Sequence, residues 1–424
     1  MKALLSDNPI VCIQNDSFSW TPYAESLADF VAESSDLPLS LGIYGSWGAG
    51  KTTFMHFMEH FLKDKYGSKI KTIWVHPWKY NNTKEIQSAV IHSVLFELAK
   101  ETQNPQIRQI LMDLAKSFTF FALRKGISTI STEGISDTAV DTLVESINKN
   151  NQKMHQYINS FENDFNKVVK EFVGEGMLVI IVDDIDRCLP ENIVPVFESL
   201  KLFLSNDRCT FICGMDYDIV RKGVSLYYSN RDHVSSGDYL DKIIQIPFNL
   251  PPVTVEDLKD AVGEDRRQHL DDKAWHLIQS GFNLNPRQTK RFVLLYDLLT
   301  RMMENCAVKV QANNPPFQLN EETTFYFLKI LVFQIQFPDF YLVLRAEPAA
   351  WQVFEEDILN AVSVDEREKV FNREGYLRKF FDNKQFMNFM VVTGRAGTFP
   401  PPSSSIVSKI MHLTNITFSD PTRE

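Results

Sequence analysis

A glycine-rich segment carries the residue types and the spacing that can hold a triphosphate. It follows an apolar run and matches the pattern G-x-x-x-x-G-K-T, which is typical of a P-loop between a strand and a helix. Its glycines allow successive backbone N–H groups to turn toward an anion, and the helix that follows would add its own N-terminal N–H groups. We expect this segment to bind the nucleotide through Gly45, Ser46, Trp47, Gly48, Ala49, Gly50, Lys51, Thr52 and Thr53.

Two residues of this segment have side chains suited to particular parts of a nucleotide. The amine of Lys51 would reach the β- and γ-phosphates, and the hydroxyl of Thr52 would ligate Mg²⁺. ATP is the expected nucleotide, because the sequence lacks the N-K-x-D motif with which GTPases select guanine.

Acidic residues follow a second apolar run at 177–182, which predicts a strand buried on both faces, as in a parallel sheet. Open α/β sheets bind ligands at the carboxyl ends of their strands. We expect Asp183 to hold Mg²⁺ and Asp184 to orient the attacking water. The next predicted strand ends at Asp216, where a polar side chain can sense the γ-phosphate.

Composition and charge narrow the possible function classes. The chain has 424 residues, of which 44% are hydrophobic and 23% charged, as in ordinary globular proteins with two or three domains. Its net charge of −10 argues against nonspecific coating of nucleic acid, although a local basic groove stays possible. Five cysteines show no metal-ligand spacing, and no apolar run is long enough to span a membrane. We expect a cytoplasmic protein without membrane insertion.

The hydrophobic periodicity predicts an α/β fold in four parts. Residues 1–84 and 177–252 would form a parallel-sheet P-loop NTPase core, and residues 85–176 would form a helical insertion within it. Residues 253–310 would form a helical lid, and residues 311–424 a C-terminal helical domain with a flexible tail. The tail begins after Gly394, although residues 406–413 could pack.

A basic helix start in the predicted lid has two interpretations. Asn285, Pro286 and Arg287 begin a helix whose first turns are positively charged. Cations are unfavourable at a helix N-terminus unless an anion compensates them. A nucleotide phosphate would be such an anion, and ordinary surface charge is the alternative.

Taken together, these motifs resemble the KAP family of P-loop NTPases. The matching segments are residues 45–52 with Trp47 inside them, Trp78 after the following strand, and residues 183–187, 239–245 and 285–287. The resemblance implies an ATPase with an additional-strand core, similar to AAA+ and STAND proteins, and a helical lid. The family includes prokaryotic members associated with exclusion of phage and animal members in membrane-linked signalling. Many members carry transmembrane helices between the P-loop and the acidic strand, whereas residues 101–176 offer no such segment here.

The resemblance also implies roles for individual residues. Lys51 and Thr52 would be the phosphate and Mg²⁺ residues, and Asp183 the metal-binding acid. Either Asp184 or Asp186 would orient water. Charge stabilisation in the transition state would come from Arg187 or Arg287, in cis or from a neighbouring subunit. An arginine supplied by a neighbour can accelerate hydrolysis by about three to five decades, which would couple turnover to assembly.

Three functions are compatible with these observations. The first is a regulatory ATPase that switches an assembly or a separate effector protein, plausibly as a homo-oligomer in antiviral defence. The second is an AAA+-like motor or loader that handles nucleic acid, for which the acidic composition gives little support. The third is a nucleotide-bound scaffold with negligible turnover. It is less favoured because the lysine, threonine and paired acids of an active site are all present.

Overall fold

The structure is a computed structural model, and its fold is that of two compact units. It describes residues 7–34, 38–82, 86–124, 152–201, 203, 206–229, 236–267, 270–309, 319–394 and 399–418. The first unit is Pro9–Pro251, and the second combines Met1–Asn8 with Pro252–Glu424. Of the predicted insertion 85–176, residues 125–151 lie outside the described residues, and the predicted four-part division stays a prediction.

A parallel sheet of five strands forms the centre of the first unit. The strands are β1 (Leu39–Tyr44), β2 (Ile70–Val75), β3 (Met177–Val182), β4 (Cys209–Met215) and β5 (Ile246–Asn249). They are ordered β2-β3-β4-β1-β5, and every pairing is parallel. Because β4 lies between β1 and β3, the sheet has the additional-strand arrangement that the family resemblance implied. The predicted α/β fold class with a parallel P-loop core is confirmed.

Helices cover both faces of this sheet, which explains why every residue of β1, β3 and β4 is buried. The helices of the first unit are α1 (Thr21–Glu33), α2 (Lys51–Tyr66), α3 (Ile86–Glu101), α4 (Pro105–Arg124), α5 (Gln152–Val173), α6 (Pro190–Lys201), α7 (Tyr217–Tyr227) and α8 (Ser236–Asp241). Short 3-10 turns span Ile13–Asn15, Gly67–Lys69, Pro77–Tyr80 and Ile185–Arg187.

The strand order decides which loops meet. The carboxyl ends of β1, β4 and β3 are neighbours, with Tyr44 in register with Met215 and Val182 with Cys213. The loops that leave these three ends contain the glycine-rich segment, the acidic run and Asp216. We call this side of the sheet the carboxyl edge.

The second unit is helical in its described part. Its helices are α9 (Val255–Val262), α10 (Glu264–Arg267), α11 (Asp272–Phe282), α12 (Pro286–Lys309), α13 (Glu321–Gln336), α14 (Pro338–Ala346), α15 (Ala350–Gln352), α16 (Val364–Arg373), α17 (Arg378–Asp382), α18 (Lys384–Gly394) and α19 (Ser404–Thr414). A π-helix spans Val353–Leu359, and 3-10 turns span Gly375–Leu377 and Asn415–Thr417.

The core of the second unit is rich in aromatic side chains around α13. Phe333 is fully buried, and its ring lies 4.9–6.2 Å from the rings of Phe340, Trp351, Phe386 and Phe389. Ring pairs at such distances and tilted angles add packing energy beyond their buried area.

Within the segment expected to be a flexible tail, Ser404–Thr414 form a helix. Helix α19 packs against α13, and its residues Val407 and Ile410 are fully buried. Their spacing of three positions places both side chains on one face of the helix. Residues 406–413 therefore pack against the rest of the second unit, which is the alternative that the sequence analysis left open for them.

In the described part of the chain, no helix combines the length and the hydropathy that crossing a bilayer requires.

Candidate functional site

The glycine-rich loop joins β1 to α2 and encloses the Lys51 amine. Gly48 and Gly50 adopt positive φ angles of 85° and 104°, which side chains other than glycine rarely tolerate. Lys51 is only 6% exposed, and its Nζ donates to the carbonyl oxygens of Gly45 and Ser46 at 2.9 and 3.3 Å. The loop therefore curls around the amine at the N-terminus of α2, where helix N–H groups favour an anion.

Gly50 is constrained by packing as well as by its backbone angle. A Cβ at this position would lie 2.7 Å from the indole ring of Trp20, which is 1% exposed. Trp20 in turn packs edge-on against Phe54 of α2, with ring centroids 6.1 Å apart. Trp20, the residue directly before α1, thus packs against the glycine-rich loop at Gly50 and against the helix that follows the loop.

Thr52 and Asp183 meet at the carboxyl edge. The Thr52 hydroxyl donates to Asp183 Oδ2 at 2.8 Å, and the Asp184 amide donates to Asp183 Oδ1 at 2.8 Å. Asp183 is 1% exposed, and burial raises the pKa of its carboxyl, an effect that these two hydrogen bonds only partly offset. The two residues that the sequence analysis assigned to Mg²⁺ are thereby brought together.

Asp184 begins a tight turn and is held by an arginine. Its φ of 60° is left-handed, a conformation that Asp tolerates better than most residues. Its Oδ1 lies 2.8 Å from Nε of Arg187, whose guanidinium is 5.6 Å from the centre of the Trp78 ring. Burial, together with the neighbouring Asp183, raises the pKa of Asp184, while Arg187 opposes that rise.

Asp186 is paired with the P-loop lysine. Its Oδ2 lies 3.0 Å from Lys51 Nζ and accepts a hydrogen bond of 3.0 Å from the Asp216 amide. The two side chains of the ion pair are 6% and 4% exposed. Its other oxygen, Oδ1, is buried and has no hydrogen-bond partner in the described part of the protein. A carboxylate thus occupies a phosphate-like position on the lysine.

Other predicted site residues have local partners. The Asp216 carboxylate caps α7 by accepting from the amides of Asp218 and Ile219 at 3.1 and 3.3 Å. The Thr53 hydroxyl accepts from the Ile10 amide at 3.1 Å. These contacts engage both side chains within the protein, so their predicted part in nucleotide binding stays a prediction.

Trp47 and Arg287 are placed differently from the buried site residues. Trp47 is 62% exposed, although it lies inside the glycine-rich loop. Arg287 lies in the second unit at the start of α12, with its Nε 3.9 Å from Asp7. The predicted role of Arg287 at the phosphates therefore stays a prediction.

His76 was not among the predicted site residues. It directly follows β2, the strand next to β3, and one of its ring nitrogens lies within 4.8 Å of carboxylate oxygens of Asp183 and Asp184. Burial and the nearby Lys79 lower the pKa of its imidazole. Its position at the end of a parallel strand was the available signal, since such ends converge on the carboxyl edge.

The residues at this edge fit a nucleoside triphosphate and a divalent cation. Lys51 and the open backbone of the glycine-rich loop supply positive charge and N–H donors for phosphates. Thr52 and Asp183 supply the hydroxyl and carboxylate oxygens that Mg²⁺ prefers. The orphaned buried oxygen of Asp186 shows that the acidic run holds more acceptors than the described donors satisfy.

Two similarities to solved structures are distant. One is to the ORC2 protein of Aeropyrum pernix, in a structure of ADPNP–ADP complexes. The two chains share 13% identity over 93% of this chain and 94% of the other, with a TM-score of 0.37. Another is to Cdc6p of Pyrobaculum aerophilum, at 10% identity over 98% and 97% of the two chains, with a TM-score of 0.39. At these TM-scores neither similarity carries a conclusion about this chain, and among curated proteins none matches it.

Comparison with protein families gives a match that identifies the family. The model of the KAP family P-loop domain matches residues 20–303, which is more than half of the chain. The match includes the glycine-rich loop, all five strands of the sheet and the acidic run at the carboxyl edge. The chain belongs to the KAP family of P-loop NTPases.

Proposed function

We propose that the protein binds and hydrolyses ATP with the help of Mg²⁺. The observation that carries this proposal is the meeting of two distant segments at the carboxyl edge. Thr52 Oγ1 lies 2.8 Å from Asp183, and Lys51 Nζ lies 3.0 Å from Asp186. A phosphate-binding amine and a cation-binding carboxylate are thus adjacent, as phosphoryl transfer requires.

Each side chain has a defined task in this proposal. Lys51 and the loop amides position the β- and γ-phosphates, and Thr52 with Asp183 would hold Mg²⁺. The ion, when bound, neutralises charge that develops on the phosphate oxygens. Asp184 orients the attacking water, and its carboxylate is held for this task by Nε of Arg187 at 2.8 Å.

A nucleotide-dependent switch follows from the pairing of Lys51 with Asp186. ATP phosphates and the Asp186 carboxylate compete for the same amine, so binding must release this carboxylate. Asp186 also accepts a hydrogen bond from the Asp216 amide, directly after β4. Release of Asp186 would break this hydrogen bond at the residue that caps the start of α7. We propose that this change signals to a second copy of the chain or to a separate effector protein. We propose antiviral defence as the setting of this switch, because the family includes members associated with exclusion of phage.

Multiple-turnover phosphate release tests the proposed hydrolysis. The wild-type protein should release phosphate continuously with Mg²⁺ and ATP, whereas Lys51→Ala and Asp184→Asn should lose turnover by about a hundredfold or more. Lys69→Ala, at an exposed lysine beyond the same helix, is the matched control and should keep wild-type turnover. Unchanged turnover in both site variants would refute the assignment.

A further inference from the structure

His76 is an imidazole among carboxylates at the carboxyl edge. A ring nitrogen of His76 and one oxygen each of Asp183 and Asp184 lie within 4.8 Å of one another. Such mutual distances allow three donor atoms to converge on one cation, since nitrogen–metal and oxygen–metal bonds are about 2 Å long. The three residues come from the ends of two adjacent strands, β2 and β3.

The burial of this cluster also indicates an unsatisfied polar site. Asp183 is 1% exposed, and the Nδ1 atom of His76 is buried without a hydrogen-bond partner among the described residues. Buried polar atoms are normally paired, because leaving one unsatisfied costs about 1–3 kcal/mol. A bound cation would compensate the charge of the adjacent carboxylates and would give a ring nitrogen of the partly buried His76 a partner.

We infer that His76, Asp183 and Asp184 form a divalent-metal site that prefers Mn²⁺ to Mg²⁺ because one of its ligands is the His76 imidazole. Mg²⁺ favours oxygen ligands and strict octahedral geometry, whereas nitrogen ligands favour the transition metals. The inference deepens the proposed function, on which it rests for the role of Asp183 in ATP-linked cation binding. The ion would bind before the nucleotide, and ATP phosphates would then replace Asp184 as oxygen ligands, leaving that acid to orient water.

The neighbours of the cluster support a cation at this place. The Thr52 hydroxyl, 2.8 Å from Asp183, adds an oxygen donor beside it. Arg187 engages Oδ1 of Asp184, and its guanidinium lies 5.6 Å from the centre of the Trp78 ring. An arginine held against one side of Asp184 restricts the rotation of that carboxylate, which pre-organises it as a ligand.

Binding of Mn²⁺ alone to the full nucleotide-free chain tests this site. Electron paramagnetic resonance of free Mn²⁺ gives the affinity, and pulsed resonance of bound Mn²⁺ detects a coordinated ¹⁴N nucleus. The wild-type protein should bind one Mn²⁺ with nitrogen coupling. His76→Ala and the more conservative His76→Gln should lose the nitrogen coupling and about tenfold or more in Mn²⁺ affinity. His60→Ala, at an exposed histidine of α2, should retain both.

Competition with Mg²⁺ separates a ligand from a structural residue. If His76 ligates the ion, the ratio of Mn²⁺ to Mg²⁺ affinity should fall in both His76 variants, because the imidazole nitrogen contributes more to binding of Mn²⁺ than to binding of Mg²⁺. Two results would overturn the inference. One is nitrogen coupling that persists in His76→Gln, and the other is Mn²⁺ binding by the wild-type protein that is no tighter than Mn²⁺ binding by Asp183→Asn. ATP binding and turnover should be measured on the same proteins. If the wild-type protein binds and hydrolyses ATP but fails the Mn²⁺ tests, only the metal-site inference is wrong. The proposed function fails only if ATP binding or turnover is absent.

Discussion

Asp186 has the least expected environment of the residues at the site. The family resemblance left open whether it or Asp184 orients water, and in the structure it is the ion-pair partner of Lys51 at 3.0 Å. A buried carboxylate on a phosphate-binding amine stabilises the nucleotide-free protein and opposes ATP. Asp186 should therefore weaken the binding of ATP, whereas Lys51 should strengthen it.

Replacement of Asp186 by asparagine tests this competition. Asp186→Asn keeps the size and an acceptor oxygen but removes the negative charge, so ATP no longer has to displace a carboxylate. We expect ATP binding to tighten by about tenfold, equivalent to about 1.4 kcal/mol, in isothermal titration calorimetry. We also expect a lower melting temperature without nucleotide, because Lys51 loses its buried partner. Weaker binding of ATP by this variant would show that Asp186 supports the nucleotide instead.

Gly50 can be tested through its close approach to Trp20. Gly50→Ala would place a Cβ 2.7 Å from the Trp20 ring at a φ of 104°, and we expect a loss of about 2–3 kcal/mol in the free energy of unfolding. Gly174→Ala is a suitable control, because that glycine has a φ of 61° but open space around its Cβ position. It should cost about 1 kcal/mol, from the backbone angle alone. Equal losses in the two variants, measured by denaturant unfolding, would exclude a role for the Trp20 contact.

At the scale of elements, Glu59 connects α2 to β2. It accepts from the Thr72 hydroxyl at 2.8 Å and lies 2.7 Å from Lys63 Nζ. Burial alone would raise its pKa, but His56, Lys63 and Thr72 outweigh that effect and lower the pKa of Glu59 to about 2. The link holds the P-loop helix against β2, the strand that His76 directly follows.

This lowered pKa predicts a pH-dependent contribution to stability. A carboxyl whose folded pKa lies below its unfolded value stabilises the protein above the unfolded value and loses that effect as the pH falls. We expect Glu59→Gln to lower the free energy of unfolding by about 1–2 kcal/mol at pH 7, discounted for partial solvent screening. The deficit should shrink as the pH falls from 4.5 toward 2.

Unfolding of both proteins at several pH values checks this prediction. Glu171→Gln, at an exposed position of α5, should stay within about 0.5 kcal/mol of wild type throughout. A Glu59→Gln deficit that does not change with pH would contradict the assigned cause.

A buried ion pair joins two elements of the second unit. Lys329 of α13 is 1% exposed, and its Nζ lies 2.6 Å from Oε1 of Glu355 in the π-helix. The same oxygen accepts from the Trp351 indole at 2.8 Å. Burial lowers the pKa of Lys329, while Glu355 opposes that change. Each of the two charges would be unfavourable in this buried position if its partner were absent.

Removal of one partner should therefore cost more than removal of both. We expect Lys329→Met to destabilise the protein by about 3–5 kcal/mol, because it leaves the Glu355 charge buried and without its cation. The double variant Lys329→Met with Glu355→Leu should recover most of that loss. Arg373→Ala, which breaks an exposed pair with Asp357, should change stability by less than about 1 kcal/mol. Denaturant unfolding that shows additive effects of the two buried substitutions would refute the coupling.

At the scale of the whole molecule, the sequence predicted the core and its carboxyl edge better than the contacts within that edge. Apolar runs before the glycine-rich segment and before the acidic run predicted the strands, and parallel strand order then brought those loops together. The packing of Trp20 on Gly50 depends on a contact thirty positions apart in the chain, for which local periodicity carries no signal. The Lys51–Asp186 pair likewise depends on which acid of the run 183–186 points toward the Lys51 amine. Spacing in the sequence does not distinguish the three acids in this respect.

The second unit was less predictable than the first. Its helices follow from amphipathic patterns, but the π-helix and the buried Lys329–Glu355 pair depend on tertiary packing. The helix Ser404–Thr414 lies after a segment rich in proline and serine, and this composition favoured the expectation of a flexible tail. Composition predicted disorder where burial of a few apolar side chains against α13 stabilises a helix.

Equilibrium binding of ATP to the wild-type protein and to Lys51→Ala tests the central claim most directly. If the carboxyl edge is the nucleotide site, wild type should bind ATP, and Lys51→Ala should bind it at least about tenfold more weakly, while Lys69→Ala should bind as wild type does. Equal ATP affinity of the wild-type and Lys51→Ala proteins, or no ATP binding by correctly folded wild type, would contradict the account.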